Sequence, residues 1–103
     1  MSITRLCDAY GMLLTDHRRE LIRSYYDDDL SLAEIAENLG ITRQAALCSI
    51  KQAEKQLVDY EAKLHIVQNY DMLNSQIQET IGLLESDAEM ARQKLQSIVS
   101  DIL

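Results

Sequence analysis

Ser31–Leu57 reads SLAEIAENLGITRQAALCSIKQAEKQL, and its punctuation decides the fold. Ser31 is a helix-capping residue and Glu34 follows three residues later, the spacing of a capping box. Leu32, Ile35, Ala36 and Leu39 then share one face of a short helix. Gly40 stands just past the last apolar position, where a helix that must end takes a left-handed residue. Ile41 plugs the turn, and Thr42 caps a second helix. In that helix Ala46, Ile50, Ala53 and Leu57 recur at steps of four, three and four, one apolar stripe. Two helices joined in this way form a helix-turn-helix, which presents the start of its second helix to a groove in nucleic acid or to another protein.

Outward from the motif, Ile3–Leu14 reads as a first helix with Ile3, Leu6, Cys7, Tyr10, Leu13 and Leu14 inward. Thr15 and Asp16 open a second helix that runs to Tyr26. Asp27, Asp28 and Asp29 end it, because three acids at a helix C-terminus repel one another and oppose the dipole. Helix three is Leu32–Leu39, and helix four starts at Arg43 with no obvious stop. Its apolar seam continues through Tyr60, Leu64 and Val67, in heptad-like steps. The frame then fails at Asp71 and Asn74. A shifted one takes over through Ile66, Tyr70, Leu73, Ile77, Ile81 and Leu84, so a break is expected between Gln68 and Asn74. Ser86 with Glu89 reads as a further capping box, opening a last helix with Ala88, Ala91, Leu95, Ile98 and Ile102 inward.

The expected architecture is all-α: a helix-turn-helix domain over residues 1–65 and a helical C-terminal dimerisation or extension region over residues 66–103. A chain of 103 residues without proline and with three glycines suits it. An unbroken helix over residues 42–85 would span about 65 Å, against a radius of gyration of about 13 Å for a compact chain of this size. Such a rod either folds back or packs on a second chain, and a homodimer through the C-terminal half is expected.

Net charge is −7, which argues against a generally basic nucleic-acid coat. Residues 1–65 hold eight Lys/Arg against eleven Asp/Glu, and residues 66–103 hold two against six. The acidity is thus weighted towards the tail and the aspartate run. No stretch approaches the roughly 18 apolar residues of a membrane span, and MSITRLCDAYGMLL lacks the continuous apolar run of a signal peptide. With Cys7 and Cys48 far apart and no CxxC spacing, two reduced thiols in a cytoplasmic protein are expected.

Enzyme chemistry has no foothold in the sequence. There is no GxSxG, P-loop or glycine-rich phosphate loop, and Ser, His and Asp are not grouped as a triad. His17 and His65 stand apart from each other and from cysteine, so neither a metal nor another cofactor is expected. Tyr25, Tyr26 and Tyr60 read as packing residues rather than base-stacking platforms.

The runs YYDDDLSLAEIAENLGITRQA (residues 25–45) and IKQAEKQLVDYEAKL (residues 50–64) resemble the YlxM family of small bacterial helix-turn-helix proteins. The likeness spans residues 3–68 and is most specific at Tyr25-Tyr26 with the acidic turn, Ser31–Ala36, Arg43-Gln44-Ala45, Ile50-Lys51, and Tyr60-Glu61 with Lys63-Leu64. It implies a fold like the sigma-factor region that reads the promoter −35 element, with a helical extension. It also implies a non-enzymatic protein encoded beside the signal recognition particle GTPase. Such a protein takes part in that particle's pathway or regulates it, with the particle's protein or RNA as partner. Other members are described as DNA-binding regulators, which would make DNA the partner. Leu47, Cys48 and Ser49 depart from the aromatic and polar residues usual just inside helix four, and Gln52 stands where a basic residue is common.

At 100° per residue Gln44, Cys48, Lys51 and Lys55 form the stripe opposite Ala46 and Ile50, with Arg43 at its rim. Base reading favours Arg, Lys, Asn and Gln on such a stripe. Three readings stay open for it: a solvated helix face, a DNA-reading face, and a surface for a protein or the particle's RNA. On helix two, Arg18, Arg19 and Arg23 cluster, with Arg19 and Arg23 four apart on one face; they suit phosphate contact, or else a solvated face paired with Asp16 or Glu20. Neither the stripe nor the arginine pair points to insertion in a membrane.

Overall fold

A computed structural model describes residues 1–102. Among them are six α-helices and no strand: α1 (Ile3–Tyr10), α2 (Asp16–Tyr26), α3 (Leu32–Leu39), α4 (Arg43–Leu64), α5 (Ile66–Ser86) and α6 (Ala88–Ile102). They fall into two units, Met1–Val67 and Gln68–Leu103.

The first unit is built around α4, which packs on α1, α2 and α3. Ala46, Ile50, Ala53 and Leu57 are all buried, as their spacing predicts. Two of the four are alanines, so the neighbouring helices can approach the α4 backbone closely. Leu6, Cys7, Tyr10, Leu14, Leu21, Ile22, Ile35 and Ala36 complete the core from the other helices.

Each turn of the helix-turn-helix is locked by the expected residue. The Ser31 hydroxyl accepts the Glu34 N–H at 3.1 Å, and the Glu34 carboxylate accepts the Ser31 N–H at 3.3 Å. Gly40 is left-handed at φ 66°, with its N–H turned back to the carbonyls of Ala36 and Glu37. The Ile41 N–H closes on the Ala36 carbonyl at 3.0 Å. The Thr42 hydroxyl accepts the Ala45 N–H at 3.0 Å and starts α4. These bonds satisfy backbone groups that helix ends would otherwise leave bare.

Helix one departs from expectation. Its α-helical part stops at Tyr10, and Gly11–Leu13 form a 3-10 turn. Gly11 is buried, and a Cβ there would lie 3.2 Å from the Cys7 sulfur, a close contact to which that side chain must give way. The tighter winding turns Leu13 outward, 54% exposed, while Leu14 enters the core.

The end of α4 also differs. The break lies at His65, left-handed at φ 54°, and not between Gln68 and Asn74. A non-glycine residue in this conformation costs about 1–2 kcal/mol. What offsets it is one bond from far away in sequence and one from the preceding turn. The Tyr10 hydroxyl accepts the Ile66 N–H at 3.0 Å, and the Glu61 carboxylate accepts the Val67 N–H at 3.0 Å. Tyr10 in turn donates to Glu61. The first N–H groups of α5 therefore have partners without a local cap. Val67 stays in the first core, but Leu64, expected in the seam, is half exposed.

The tyrosines pack, as expected. Tyr25 meets Tyr26 edge to face at 5.1 Å, Tyr10 and Tyr60 lie 5.9 Å apart, and the Tyr60 hydroxyl donates to the Leu13 carbonyl. Tyr26 donates to Glu54 of α4. Burial, and then that carboxylate, push the Tyr26 phenol up to about 12. Its folded value exceeds the ordinary value near 10, so the associated stability is complete below pH 10 and is lost as pH rises through 12. Alkaline unfolding of the wild type should therefore steepen over that window, and Tyr26→Phe should flatten it. An unchanged profile in the variant would show that Tyr26 is not the group responsible.

In the second unit the corner is Asp87, whose carboxylate accepts the Met90 N–H at 3.1 Å. Asp87, rather than the expected Ser86, caps α6, and Glu89 pairs with Arg92 instead of closing a box. Lys94 of α6 meets Glu79 of α5, so α6 turns back along α5. The inward faces differ from those expected. On α6, Ala91 and Ile98 are buried while Ala88, Leu95 and Ile102 are exposed. On α5, Thr80 is buried with Leu73, Gln76 and Leu83 beside it, while Tyr70, Ile77, Ile81 and Leu84 face outward.

Candidate functional site

The outer face of α4 takes its direction from the core below it. With Ala46, Ile50, Ala53 and Leu57 inward, the helical period leaves Gln44, Cys48, Lys51 and Lys55 exposed, and Arg43 is exposed at the first turn. Gln44, Leu47, Cys48, Lys51, Gln52 and Lys55 line a shallow groove of about 340 Å³. Its lining is apolar at Leu47 and Cys48 and otherwise carries two ammonium groups and two amides. Such a groove can seat an apolar side chain among hydrogen-bonding and cationic groups. Arg43, Lys51 and Lys55 take no part in an ion pair among the described residues.

The helix-two arginines lie elsewhere. Arg19 pairs with Asp16 at 2.9 Å, and Arg23 bridges Asp8 at 3.0 Å and Asp27 at 2.9 Å. Both ties join parts of the first unit to one another. The residue that does reach the α4 face is Arg18. Its guanidinium donates to Gln56 at 2.8 Å and to Gln52 at 3.0 Å, and the Gln52 amide points to the Cys48 sulfur at 3.8 Å. One wall of the groove is thus held by α2. The signal for this was present in the spacing: Arg18 falls in phase with Leu21, Ile22 and Tyr25, on the side of α2 that faces the core.

The two thiols differ sharply. Cys7 is buried, and burial pushes its thiol up, whereas Cys48 stands open in the groove. His17 and His65 are both exposed. Among the described residues no three His, Cys, Asp or Glu side chains gather as a metal would need. No helix of the described residues is long and apolar enough to cross a membrane.

The charge around the groove is uneven. In helix-turn-helix readers of DNA the first helix of the motif crosses the phosphate backbone. Here that helix, α3, carries exposed Glu34 and Glu37 and no Lys or Arg. Asp27, Asp28 and Asp29 precede it and are exposed as well.

Comparison with known proteins gives a consistent result. A family model described as "Putative helix-turn-helix protein, YlxM / p13 like" matches residues 1–98. A UPF0122 protein of Lactococcus lactis subsp. cremoris is 45% identical over 93 residues, covering 90% of this chain and 83% of its own length. One of Desulforamulus reducens is 39% identical over 105 residues, covering 98% and 90%. One of Streptococcus gordonii is 51% identical over 77 residues, covering 75% and 69%.

Proposed function

The chain belongs to this YlxM / p13-like helix-turn-helix family, and on that premise we propose that it is a non-enzymatic accessory or regulatory factor of the signal recognition particle pathway. It acts in the cytoplasm and docks on a protein of the particle through the outer face of α4. The observation that carries the choice of a protein partner is the acidic α3. A duplex laid along α4 in the usual way would bring its phosphates against Glu34 and Glu37, and like charges brought together oppose binding. The groove suits a protein better, since Leu47 offers apolar area and the Gln52 amide is held in place by Arg18.

A second reading is a sequence-specific DNA-binding transcriptional regulator. One observation favours it: Arg43, Gln44, Lys51 and Lys55, residue types that read base edges and hold phosphates, lie exposed on the second helix of the motif. The particle's RNA would use the same cations.

Salt separates these readings. The purified chain is titrated, over a series of salt concentrations, against the particle's protein, its RNA and duplex DNA. The expected result is binding to the protein with weak salt dependence and no preference among duplexes. Binding to duplex DNA with sequence preference, and a log–log salt slope near −0.9 per neutralised phosphate, would overturn the proposal in favour of the regulator. Steep salt dependence on the RNA alone would move the contact from the particle's protein to its RNA.

A further inference from the structure

We propose that the unit Gln68–Leu103 carries a self-association face, formed by Ile77, Ile81 and Leu84 of α5 with Leu95, Val99 and Ile102 of α6, that closes against the same face of a second copy of this chain. The expectation from rod length does not support this, because α4 and α5 are separated at His65. The support is the way the two helices spend their apolar residues.

On α5 the side turned to α6 is the poorer one. It presents Thr80, whose hydroxyl bonds the Gln76 carbonyl at 2.8 Å, together with Gln76, Leu73 and Leu83. Ile77, Ile81 and Leu84 lie about 80° further round, within an arc of about 60°. On α6 the buried pair Ala91 and Ile98 is likewise followed, about 55° further round, by Leu95, Val99 and Ile102. Both exposed stripes are displaced in the same rotational sense from the facing sides. Since α6 runs back along α5, rotations of the same sense bring both stripes to the same flank. Together they form one continuous apolar face, extended by Tyr70. Asp71, Glu79, Glu85 and Glu89 lie off it; the rim holds Arg92, which is already paired with Glu89 at 2.6 Å.

The occupant follows from size, period and charge. Fewer than about 40 residues rarely form a stable core without a disulfide, a metal or association. This unit fully buries only Thr80, Ala91 and Ile98 among its described residues. The seven outward side chains expose on the order of 700 Å² of surface, close to the roughly 800 Å² per partner of a specific interface. Ile77–Ile81–Leu84 and Leu95–Val99–Ile102 share the same step of four then three, the period at which helices pack in a four-helix bundle. Two such hairpins supply its four helices. An anionic membrane fits poorly, since the unit holds two basic residues against six acidic ones, net −4.

Light scattering on the full chain should give twice the 11.8 kDa of one copy at about 10 µM. Ile81→Glu with Val99→Glu should raise the dimer dissociation constant by about a hundredfold or more, because charge would be buried at the contact. Ser75→Glu with Ser97→Glu adds the same charge on the far side and should leave the dimer intact. The melting of the Met1–Val67 core should survive in both variants. Two units of net −4 repel, so the wild-type dimer should tighten with salt. The proposal is overturned by a monomer at about 100 µM, by a dimer that the Ile81/Val99 variant leaves unchanged, or by a dimer that salt weakens.

Discussion

Leu57→Ala is expected to lower the unfolding free energy by about 2–5 kcal/mol. Leu57 is fully buried on α4, in the cluster to which α1, α2 and α3 also contribute. The substitution removes apolar atoms from close packing and leaves a cavity whose walls are held by those helices and cannot collapse freely. Domains of this size are stable by only about 5–15 kcal/mol, so the loss is a large share of the total. Urea unfolding should show a lower midpoint with an unchanged slope. A loss under about 1 kcal/mol would mean that the core does not close at this position. Val58→Ala, one residue on and half exposed, should change stability by no more than about 0.5 kcal/mol. The contrast between neighbours tests the phase of α4 directly.

The second large effect is on binding. Lys51→Glu with Lys55→Glu should weaken capture of the partner by about tenfold or more while changing stability by less than about 0.5 kcal/mol. Both ammonium groups are exposed and unpaired among the described residues, so folding gains little from them. A partner that meets α4 must meet them, because they form a wall of the groove beside Leu47 and Cys48. With a protein partner the loss should come mainly from the association rate and shrink as salt rises. With a nucleic acid each lost contact should lower the salt slope by about one. Binding that survives the double change would remove the outer face of α4 from the mechanism. A matched loss from Arg19→Glu with Arg23→Glu is not expected, since those guanidiniums are held by Asp16, Asp8 and Asp27.

These predictions rest on residues of unequal legibility. Ser31, Glu34, Gly40 and Thr42 could be read correctly because a cap or a left-handed corner is a transaction among residues within four positions of each other. Ala46, Ile50, Ala53 and Leu57 could be read because the helical period converts spacing into a face. From that face the exposure of Gln44, Cys48, Lys51 and Lys55 follows without any knowledge of the neighbours. Arg18 is legible in the same way, because it falls in phase with Leu21, Ile22 and Tyr25 on the side of α2 that faces the core. Spacing is silent where distant residues intervene. His65 breaks the helix because Tyr10 and Glu61 receive the freed N–H groups of α5.

Order along the chain therefore settled the helix-turn-helix itself: where α3 and α4 begin, how they are joined, and which side of α4 is turned to the core. These depend on short-range hydrogen bonds and on a fixed period of rotation. Only the folded chain decided that α4 stops at His65, that Arg18 holds one wall of the groove, and that the richer apolar stripes of α5 and α6 are left open. Each of those outcomes depends on groups far apart in sequence and close in space, and a one-dimensional pattern carries no term for their meeting.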